Sequence, residues 1–492
     1  MRFVILGDIS GPRTYHVGDE AMVAANLAAI RALVPDAQFT LISQDPDWSA
    51  NHYHCDAIRP IGFPAAESGT DCERDRLLQA VLEMALAANQ RTNYSSGPGS
   101  EAVAAIRAAD AVVISGGGNL RANWPEHIYE RVAILRLATV FNKPSVLTGQ
   151  TIGPELTDHQ RRLLKSVLPG ARAVGVRDYY SVGKALSLGV SPERLLYQAD
   201  DAILLAGEPP SLSAGVLSHF EANRAHWIAV TIGPAPDLLR DPATLRMLTQ
   251  EISYVAEHVR AQIIFIPHVC MPERIGVSDI TLAREMAEYM PNAVIADVST
   301  AEQTQWLTAN AGLVISTRYH PVVFALGAGV PAVGIYSDQY TRVKIRGALA
   351  HAGLQHWALS LQGCAGGALS RRAVALWKSR SAIREKLGPH CKKWISDRDR
   401  RWRLLLNALQ TNEPLQQWQH LSNVWPMILT CQTEDIEWER ESAVAEFNRA
   451  VSARDQELAS IKSVLAARDE ELASVKAVLS ARDQELASIK AP

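Results

Sequence analysis

The chain has 492 residues, of which 47% are hydrophobic and 21% are charged, so it can bury a large core and form roughly two to three domains. A formal net charge of -3, without a long basic stripe, argues against a nucleic-acid-binding protein. The six cysteines lie far apart without a CxxC pair, which is typical of reduced thiols in a cytoplasmic protein. The N-terminus lacks the features of a signal peptide, and no apolar run reaches about 18 residues, so we expect no membrane span.

Short apolar strands alternate with helices through the first 200 residues. The pattern predicts strands over 2–7, 38–43, 111–118, 144–149, 173–178 and 195–200. It predicts helices over 19–33 and 128–141, and a further helix after residue 180. Continuous apolar strands that alternate with helices indicate a parallel sheet covered on both faces.

A second set of the same kind follows. Strands are predicted over 227–234, 262–268, 293–297, 312–316 and 331–336, and helices over 242–260, over 279–290 and from Thr300. The stretch "AGEPPSLSAG" over 206–215 separates the two sets and is typical of a linker. The sequence therefore predicts an α/β protein with two Rossmann-like domains, over 1–205 and 216–370.

The C-terminal quarter has a different character. Residues 371–443 are rich in Arg and Trp and favour helix. A 14-residue repeat, "ARDQELASIKSVLA", then recurs over 453–490 and places Leu and Ile or Val at heptad core positions. We interpret 444–492 as a coiled coil that sets an oligomeric state or binds a partner, and a solvated single helix is the alternative.

The stretch "LVISTRYHPVVFALG" over 313–327 places two basic groups between an apolar strand and an apolar helix. Pro321 suits the first turn of the helix. Arg318 and His320 would therefore stand beside free backbone N–H groups at a helix N-terminus, which favours an anion. The alternative is a surface arginine and a capping histidine.

Polar residues and glycines also follow several other predicted strands. They are Gly18, Asp19 and Glu20, Gly116, Gly117, Gly118 and Asn119, Gln150, Arg177, and His268. Taken singly they are weak signals, and Asp19 suits a simple N-cap. In open α/β sheets, however, ligands bind at the carboxyl ends of the strands, so we expect these groups to face one crevice.

These motifs together resemble the polysaccharide pyruvyl transferase family. The matching stretches are "GDEA" (18–21), "ISGGGNL" (114–120), "GQTIGP" (149–154), "VRDYYS" (176–181), "ADDAILL" (199–205) and "STRYHPVVFALGAGVPAVGI" (316–335). The resemblance implies a GT-B-like arrangement of the two domains. It also implies transfer of a pyruvyl group from phosphoenolpyruvate, as co-substrate, to a sugar hydroxyl pair of a cell-surface glycan or its lipid-linked precursor, without a metal or another cofactor.

The resemblance also implies roles for individual residues. Arg318, Arg177 and Lys344 would bind the phosphate and carboxylate of the donor, because arginine offers bidentate contacts to both groups. His320 would be the catalytic acid, for which a pKa near 7 is suitable. Asp19 or Glu20 would accept a hydroxyl proton or orient the sugar.

The sequence departs from the family pattern in three places. His16 stands where the family often has Asn, the strand over 227–234 does not end in Arg, and Lys344 lies farther from His320 than expected. Two other functions stay open at this point. One is a nucleotide-sugar glycosyltransferase of the same architecture, with Glu302 or Asp297 on the donor ribose, and the other is a non-catalytic assembly protein. For either enzyme we expect a cytoplasmic location, with the inner face of the membrane as an option.

Overall fold

The structure is a computed structural model of the chain. It describes residues 1–11, 16–90, 97–210, 226–235, 238, 241–269, 278–290, 292–298, 300–415, 462–463, 466 and 468. Contacts divide the chain into one unit over Met1–Val424 and another over Trp425–Pro492. All but four residues of the heptad repeat, and the end of the predicted 371–443 segment, lie outside the described residues.

Two sets of strands form the framework of the first unit. The strands are β1 Arg2–Leu6, β2 Gln38–Ile42, β3 Asp56–Ile58, β4 Ala111–Ile114, β5 Gly117–Leu120, β6 Ser145–Ile152, β7 Ala173–Val176, β8 Leu195–Tyr197, β9 Trp227–Thr231, β10 Gln262–Phe265, β11 Val294–Ile295, β12 Leu313–Ser316, β13 Ala332–Tyr336 and β14 Ala358–Ser360. Many of them are buried along their whole length, as strands covered on both faces must be.

Helices connect these strands. They are α1 Val17–Leu33, α2 Pro46–Tyr53, α3 Asp71–Asn89, α4 Ser100–Ala108, α5 Pro125–Val140, α6 Asp158–Val167, α7 Tyr179–Ser187, α8 Pro242–Val259, α9 Asp279–Ala287, α10 Ala301–Ala309, α11 Tyr319–Gly327, α12 Gln339–Ala350, α13 Ala368–Lys378 and α14 Arg380–Thr411. No helix in the described part of the chain combines the length and hydropathy that a membrane span requires.

The first sheet holds eight strands among the described residues, in the order β3-β2-β1-β4-β6-β7-β8, with β5 paired to β6. The pairs are parallel, and Leu6 at the end of β1 lies opposite Ile42 and Ile114. The carboxyl ends of the strands therefore meet at one edge, where the order reverses from β1 to β4. That reversal is where open α/β sheets bind ligands.

The second sheet is also parallel and, within the described residues, has the order β11-β10-β9-β12-β13-β14. Ser316 at the end of β12 lies opposite Thr231 and Gly334. The predicted α/β class with two Rossmann-like sheets is confirmed. The domain boundaries at 205 and 216 stay a prediction, because residues 211–225 are outside the described part.

The two sheets share an apolar seam next to their ligand-binding edges. The seam consists of buried side chains from α1, from the turn after β8, from α10 and from α11. They are Val17, Ala21, Met22, Ala202, Leu205, Ala301 and Phe324. The backbone N–H of Val17 also donates to the carbonyl of His268 at 3.1 Å. The first turn of α1 is thus fixed to the loop that follows β10.

The last long helix, α14, packs against both domains. Near its start the Cys391 thiol donates to the Leu326 carbonyl of α11, with Sγ and O 3.4 Å apart. Near its end Trp402 is fully buried in the core of the first domain. Between them, Nη1 of Arg401 lies 3.2 Å from Oδ1 of the buried Asp201. The described part of the predicted helical segment therefore packs into the core of the first domain.

This packing predicts a large effect of Trp402→Ala. Removal of a fully buried indole costs about 3–5 kcal/mol, so the free energy of unfolding should fall by that amount. Urea denaturation followed by circular dichroism measures it. The matched control is Arg403→Ala, since Arg403 is exposed on the same helix and should change stability by about 0.5 kcal/mol or less. Equal stability of the two variants would contradict the packing role of α14.

Candidate functional site

A cleft opens where the ligand-binding edges of the two sheets face each other. It has about 1100 Å³ of free space, part of it open to solvent. Both domains line it, and nine of the residues singled out in the sequence belong to its wall: Gly18, Asp19, Gly118, Asn119, Arg177, His268, Arg318, His320 and Lys344. The fold brings them together because each follows the carboxyl end of a parallel strand or lies on the helix after it.

Arg177 lies at the base of the cleft, directly after β7, and is buried. Its Nη1 donates to Oδ2 of Asp200 at 2.7 Å, and its Nε donates to Oγ1 of Thr151 at 2.9 Å. Burial opposes its charge, but Tyr319 and Asp200 outweigh burial and hold the pKa of Arg177 above its ordinary value. Nη2 has no hydrogen-bond partner among the described residues, so a charged donor is left for a ligand.

Arg318 is the N-cap residue of α11 and is held by Asp279 at the start of α9. Its Nη2 donates to Oδ1 at 2.6 Å, and its Nε donates to the same oxygen at 3.2 Å. The carboxylate of Asp279 also accepts the backbone N–H groups of His268 and Val269. Arg318 is thus fixed along one edge, and the outer end of its guanidinium is what an anion in the cleft can contact.

His320 lies in the first turn of α11, against the first turn of α1 in the other domain. A Cβ added to Gly18 would lie only 1.7 Å from Nδ1 of His320, so the imidazole fits only because residue 18 is glycine. Nε2 is buried, has no hydrogen-bond partner among the described residues, and lies 3.8 Å from Oδ2 of Asp200. The ring is therefore held between the two domains with one nitrogen uncommitted.

The electrostatic surroundings of His320 differ from the expectation. Burial, then the charges of Arg177 and Lys344, hold the pKa of His320 well below its ordinary value. The protein groups around the ring thus hold the pKa of His320 below the value near 7 that suits a catalytic acid. The sequence could not reveal this, because the nearby cations come from distant parts of the chain.

Lys344 on α12 lines the same cleft as His320. Its Nζ donates to the Tyr340 hydroxyl at 3.0 Å, and that hydroxyl donates to the Gly118 carbonyl at 2.8 Å across the domain boundary. Burial and the charge of Arg177 lower the pKa of Lys344 to about 7. The turn between Tyr336 and α12 thus accommodates the longer spacing noted in the sequence and still places the amine in the cleft.

His268 and Asp19 complete the wall. His268 is buried, its pKa is held well below its ordinary value by burial and by Arg318, and its Nε2 has no described partner. Asp19 lies in the first turn of α1, and its Oδ2 is 2.8 Å from Nδ1 of His16. Both positions agree with the expectation of a shared crevice, although neither contact by itself assigns a chemical role.

Glu20 does not face the cleft. Its carboxylate accepts the backbone N–H groups of Ser10 and Gly11, at 2.9 and 3.2 Å, and the hydroxyl of Tyr53. Burial raises the pKa of Glu20 to about 7. Its side chain anchors the segment after β1, so the cleft-lining and proton-accepting roles considered for it have no structural support.

Three other predicted residues, Gln150, Gly116 and Gly117, also do not line the cleft. Gln150 is buried and donates to the carbonyls of Ser115 and Thr148, both at 2.8 Å. Gly116 and Gly117 do not line the cleft, and Gly118 alone of the three glycines does. A Cβ added to Gly116 would meet Met22, whereas one added to Gly118 would meet Tyr340 and Lys344 of the other domain, a contact that the sequence could not show.

Sequence reasoning missed four residues that hold the site in place. They are Asp200, Asp279, Tyr319 and Tyr340. Asp200 was quoted within "ADDAILL", and an acid directly after a strand was the available signal. No local pattern marks Asp279, since its partner Arg318 lies 39 residues away.

The same cleft bears on the metal-binding and nucleotide-sugar alternatives. Within the described part of the chain, no group of three or more His, Cys, Asp or Glu side chains is arranged to hold a metal ion. Glu302 and Asp297, the acids considered for a donor ribose, are not part of the cleft wall. The cleft instead gathers Arg177, Arg318 and Lys344, which is the arrangement that an anionic ligand requires.

A glycine substitution tests the contact between the domains. Gly18→Ala would place a methyl group inside the His320 ring, so we expect the ring to be displaced and the His320 Cε1–H resonance to shift in NMR spectra. Gly183→Ala is the matched control, because that helical glycine has nothing within 4 Å of its added Cβ. An unchanged His320 resonance in Gly18→Ala would show that the ring does not lie against α1.

Comparison with solved structures gives the fold. A protein from Listeria monocytogenes assigned as a UDP-N-acetylglucosamine 2-epimerase superposes with a TM-score of 0.56 at 13% identity, over 84% of this chain and 98% of that one. The UDP-GlcNAc 2-epimerase from Neisseria meningitidis superposes with a TM-score of 0.51 at 9% identity, over 82% and 99%. The two domains thus have a GT-B-like arrangement, as expected. At such low identity the likeness concerns the fold alone.

Comparison of sequences gives the family. The curated proteins include no significant match. The family model for polysaccharide pyruvyl transferase, however, matches residues 16–339, which include every cleft residue discussed above except Tyr340 and Lys344. The chain therefore belongs to the polysaccharide pyruvyl transferase family.

Proposed function

We propose that the protein transfers a pyruvyl group from phosphoenolpyruvate to two hydroxyls of a sugar, in a cell-surface glycan or its lipid-linked precursor. Membership of a transferase family supports the reaction class. The observation that carries the proposal is the convergence of three cationic side chains on one cleft. Arg177, Arg318 and Lys344 converge there, and burial with neighbouring cations lowers the pKa values of Lys344, His320 and His268.

The proposed donor contacts follow from the groups that remain available. Phosphoenolpyruvate carries a phosphate and a carboxylate on adjacent atoms of a small planar skeleton. Arg177, whose Nη2 has no partner among the described residues, Arg318 and Lys344 are the cationic side chains that line the cleft in the described part of the chain. Charge-assisted hydrogen bonds from two guanidinium groups and one amine suit both anionic groups of the donor.

The proposed chemistry needs a proton at the methylene carbon of the donor. Protonation of C3 leaves an electron-deficient C2, which one sugar hydroxyl attacks to form the first C–O bond. The second hydroxyl then forms the other C–O bond at C2 while the bond to the phosphate oxygen breaks. The proton of one hydroxyl restores the acid that protonated C3, and the proton of the other hydroxyl leaves with the phosphate. The products are a pyruvyl ketal and inorganic phosphate.

His320 is the proposed acid for this step. Its Nε2 has no hydrogen-bond partner among the described residues and lies 3.8 Å from Oδ2 of Asp200, while its Nδ1 lies against Gly18 of α1. Burial and cationic neighbours hold its pKa low, and an anionic donor bound among the same cations would raise it again. The proton would therefore be acquired when the donor is present, which limits unproductive protonation of the site.

The direct test is transfer from labelled phosphoenolpyruvate to a lipid-linked oligosaccharide. The expected result is release of inorganic phosphate together with the mass gain of a pyruvyl ketal. His320→Ala should abolish turnover, and the surface variant His258→Ala, at an exposed position of α8, should keep the wild-type rate. Circular dichroism checks that both variants are folded. Activity with nucleotide sugars and none with phosphoenolpyruvate would overturn the proposal in favour of a glycosyltransferase.

Donor binding should also take up protons. The pKa of Lys344 is about 7, so at pH 8 the amine is mostly neutral, and a bound anion raises its pKa and protonates it. Calorimetric titration of phosphoenolpyruvate at pH 8, in buffers of different ionisation enthalpy, should show proton uptake, of which Lys344 contributes about one proton and the proposed acid His320 the remainder. The uptake by Lys344 should vanish towards pH 6, where the amine is already charged.

Lys344→Met isolates the source of this proton. Uptake at pH 8 should fall in the variant, while His258→Asn should behave as the wild type. Uptake that is the same in Lys344→Met and the wild type would show that Lys344 does not contact the donor.

A further inference from the structure

His16 and Asp19 form an imidazole–carboxylate pair at the mouth of the cleft. His16 is the N-cap residue of α1, and its Nδ1 lies 2.8 Å from Oδ2 of Asp19 in the first turn. The His16 side chain is 44% exposed, whereas that of Asp19 is 8% exposed. The imidazole is thus the member of the pair that a ligand entering the cleft meets first.

The backbone holds His16 in place from the other domain. His16 forms an isolated antiparallel bridge with Val269, and the next residue, Val17, donates its N–H to the His268 carbonyl at 3.1 Å. Two residues further along α1, Gly18 lies against the ring of His320. His16 and the proposed acid, His320, therefore both lie at the first turn of α1.

The ring nitrogens of His16 have different surroundings. Nδ1 is buried and faces Asp19, but it is not aligned for a linear hydrogen bond with any described partner. A modest rotation of the ring would align it, and catalytic hydrogen bonds often tighten in this way only when the substrate is bound. With Nδ1 directed at the carboxylate, Nε2 is the nitrogen left for a substrate.

We propose that His16 is the base that accepts the proton of the attacking sugar hydroxyl, and that Asp19 is a positioning residue that orients it. This inference rests on the proposed function. As the hydroxyl oxygen forms its bond to C2 of the donor, its O–H electron pair becomes the new C–O bond and its proton moves to Nε2. The imidazolium formed is stabilised by Asp19, and it returns the proton to the departing phosphate or to water.

Asp19 is a poorer candidate for the base itself. Its Oδ2 is turned towards His16, and the residue is buried. A neutral imidazole is also a better proton acceptor near pH 7 than a carboxylate. Asp19 therefore has the position of a carboxylate that orients a catalytic histidine and stabilises its imidazolium form.

Several titratable groups face His16 and affect the test. Asp19 lies on the same helix, His268 follows β10, and His320 lies on α11. Charge on His16 lowers the pKa of both other imidazoles. A charge on His16 and a charge on His320 are therefore mutually unfavourable.

The test compares His16→Asn with the wild type. Asparagine keeps a hydrogen-bonding group beside Asp19 but cannot take up a proton. The probes are methyl glycosides of galactose, mannose, glucose and N-acetylmannosamine, which offer free diols, with phosphoenolpyruvate as donor. Phosphate release gives kcat and kcat/KM between pH 5.5 and 9, and calorimetry without acceptor gives the Kd of phosphoenolpyruvate.

We expect His16→Asn to lower kcat by about 10²–10⁴-fold, the usual contribution of a positioned base, and to leave the donor Kd within about threefold. The decline of kcat/KM towards low pH that a neutral imidazole base produces should disappear. Asp19→Asn should lower kcat less and keep that decline. His258→Asn is the matched control and should match the wild type.

The outcomes separate the two proposals. A wild-type protein that transfers the pyruvyl group, with a His16→Asn variant of equal rate and pH profile, overturns the role of His16 and leaves the proposed function intact. A His16→Asn variant whose donor Kd rises as much as its kcat falls would also overturn it, because His16 would then act on donor binding. A wild-type protein that turns over none of the probes and does not bind phosphoenolpyruvate counts against the proposed function itself.

Discussion

The ion pair between Arg177 and Asp200 is the interaction on which the rest of the site depends. Both side chains are 1% exposed, and their atoms are 2.7 Å apart. Loss of one partner from such a buried pair typically costs about 3–5 kcal/mol, because an uncompensated charge remains. The pair joins the ends of β7 and β8. The guanidinium of Arg177 lies 4.5 Å from the centre of the Tyr319 ring on α11. The carbonyl of Arg177 also forms a hydrogen bond with the imidazole of His351, which follows α12. One charged group thus ties both domains to the base of the cleft.

Two close approaches then bring the domains together around that base. His320 fits against Gly18, and the Tyr340 hydroxyl donates to the carbonyl of Gly118, where side chains would leave no room. Lys344 lies in the same space, where burial and the charge of Arg177 outweigh Asp19 and lower its pKa to about 7. An anion bound in the cleft would favour the charged amine, which is the electrostatic reason for proposing an anionic donor.

Much of the fold follows from local sequence, while the electrostatics of the site do not. Buried strands such as Leu313–Ser316 are continuous apolar runs, and the basic groups after them fall where parallel strands end. The helices α3 and α4, over Asp71–Asn89 and Ser100–Ala108, were not predicted, although the capping box of Thr70 and Glu73 before α3 is a local signal that the sequence carries. The partner of Arg318, Asp279, and the low pKa of His320 arise from contacts between distant segments, which no pattern in one sequence encodes.

A crystal structure of the protein with phosphoenolpyruvate would test the central claim most directly. The account predicts the phosphate and carboxylate within hydrogen-bonding distance of Nη2 of Arg177 and Nζ of Lys344, with the methylene carbon beside Nε2 of His320. Phosphoenolpyruvate bound outside the cleft, or a cleft that excludes it at saturating concentration, would contradict the account.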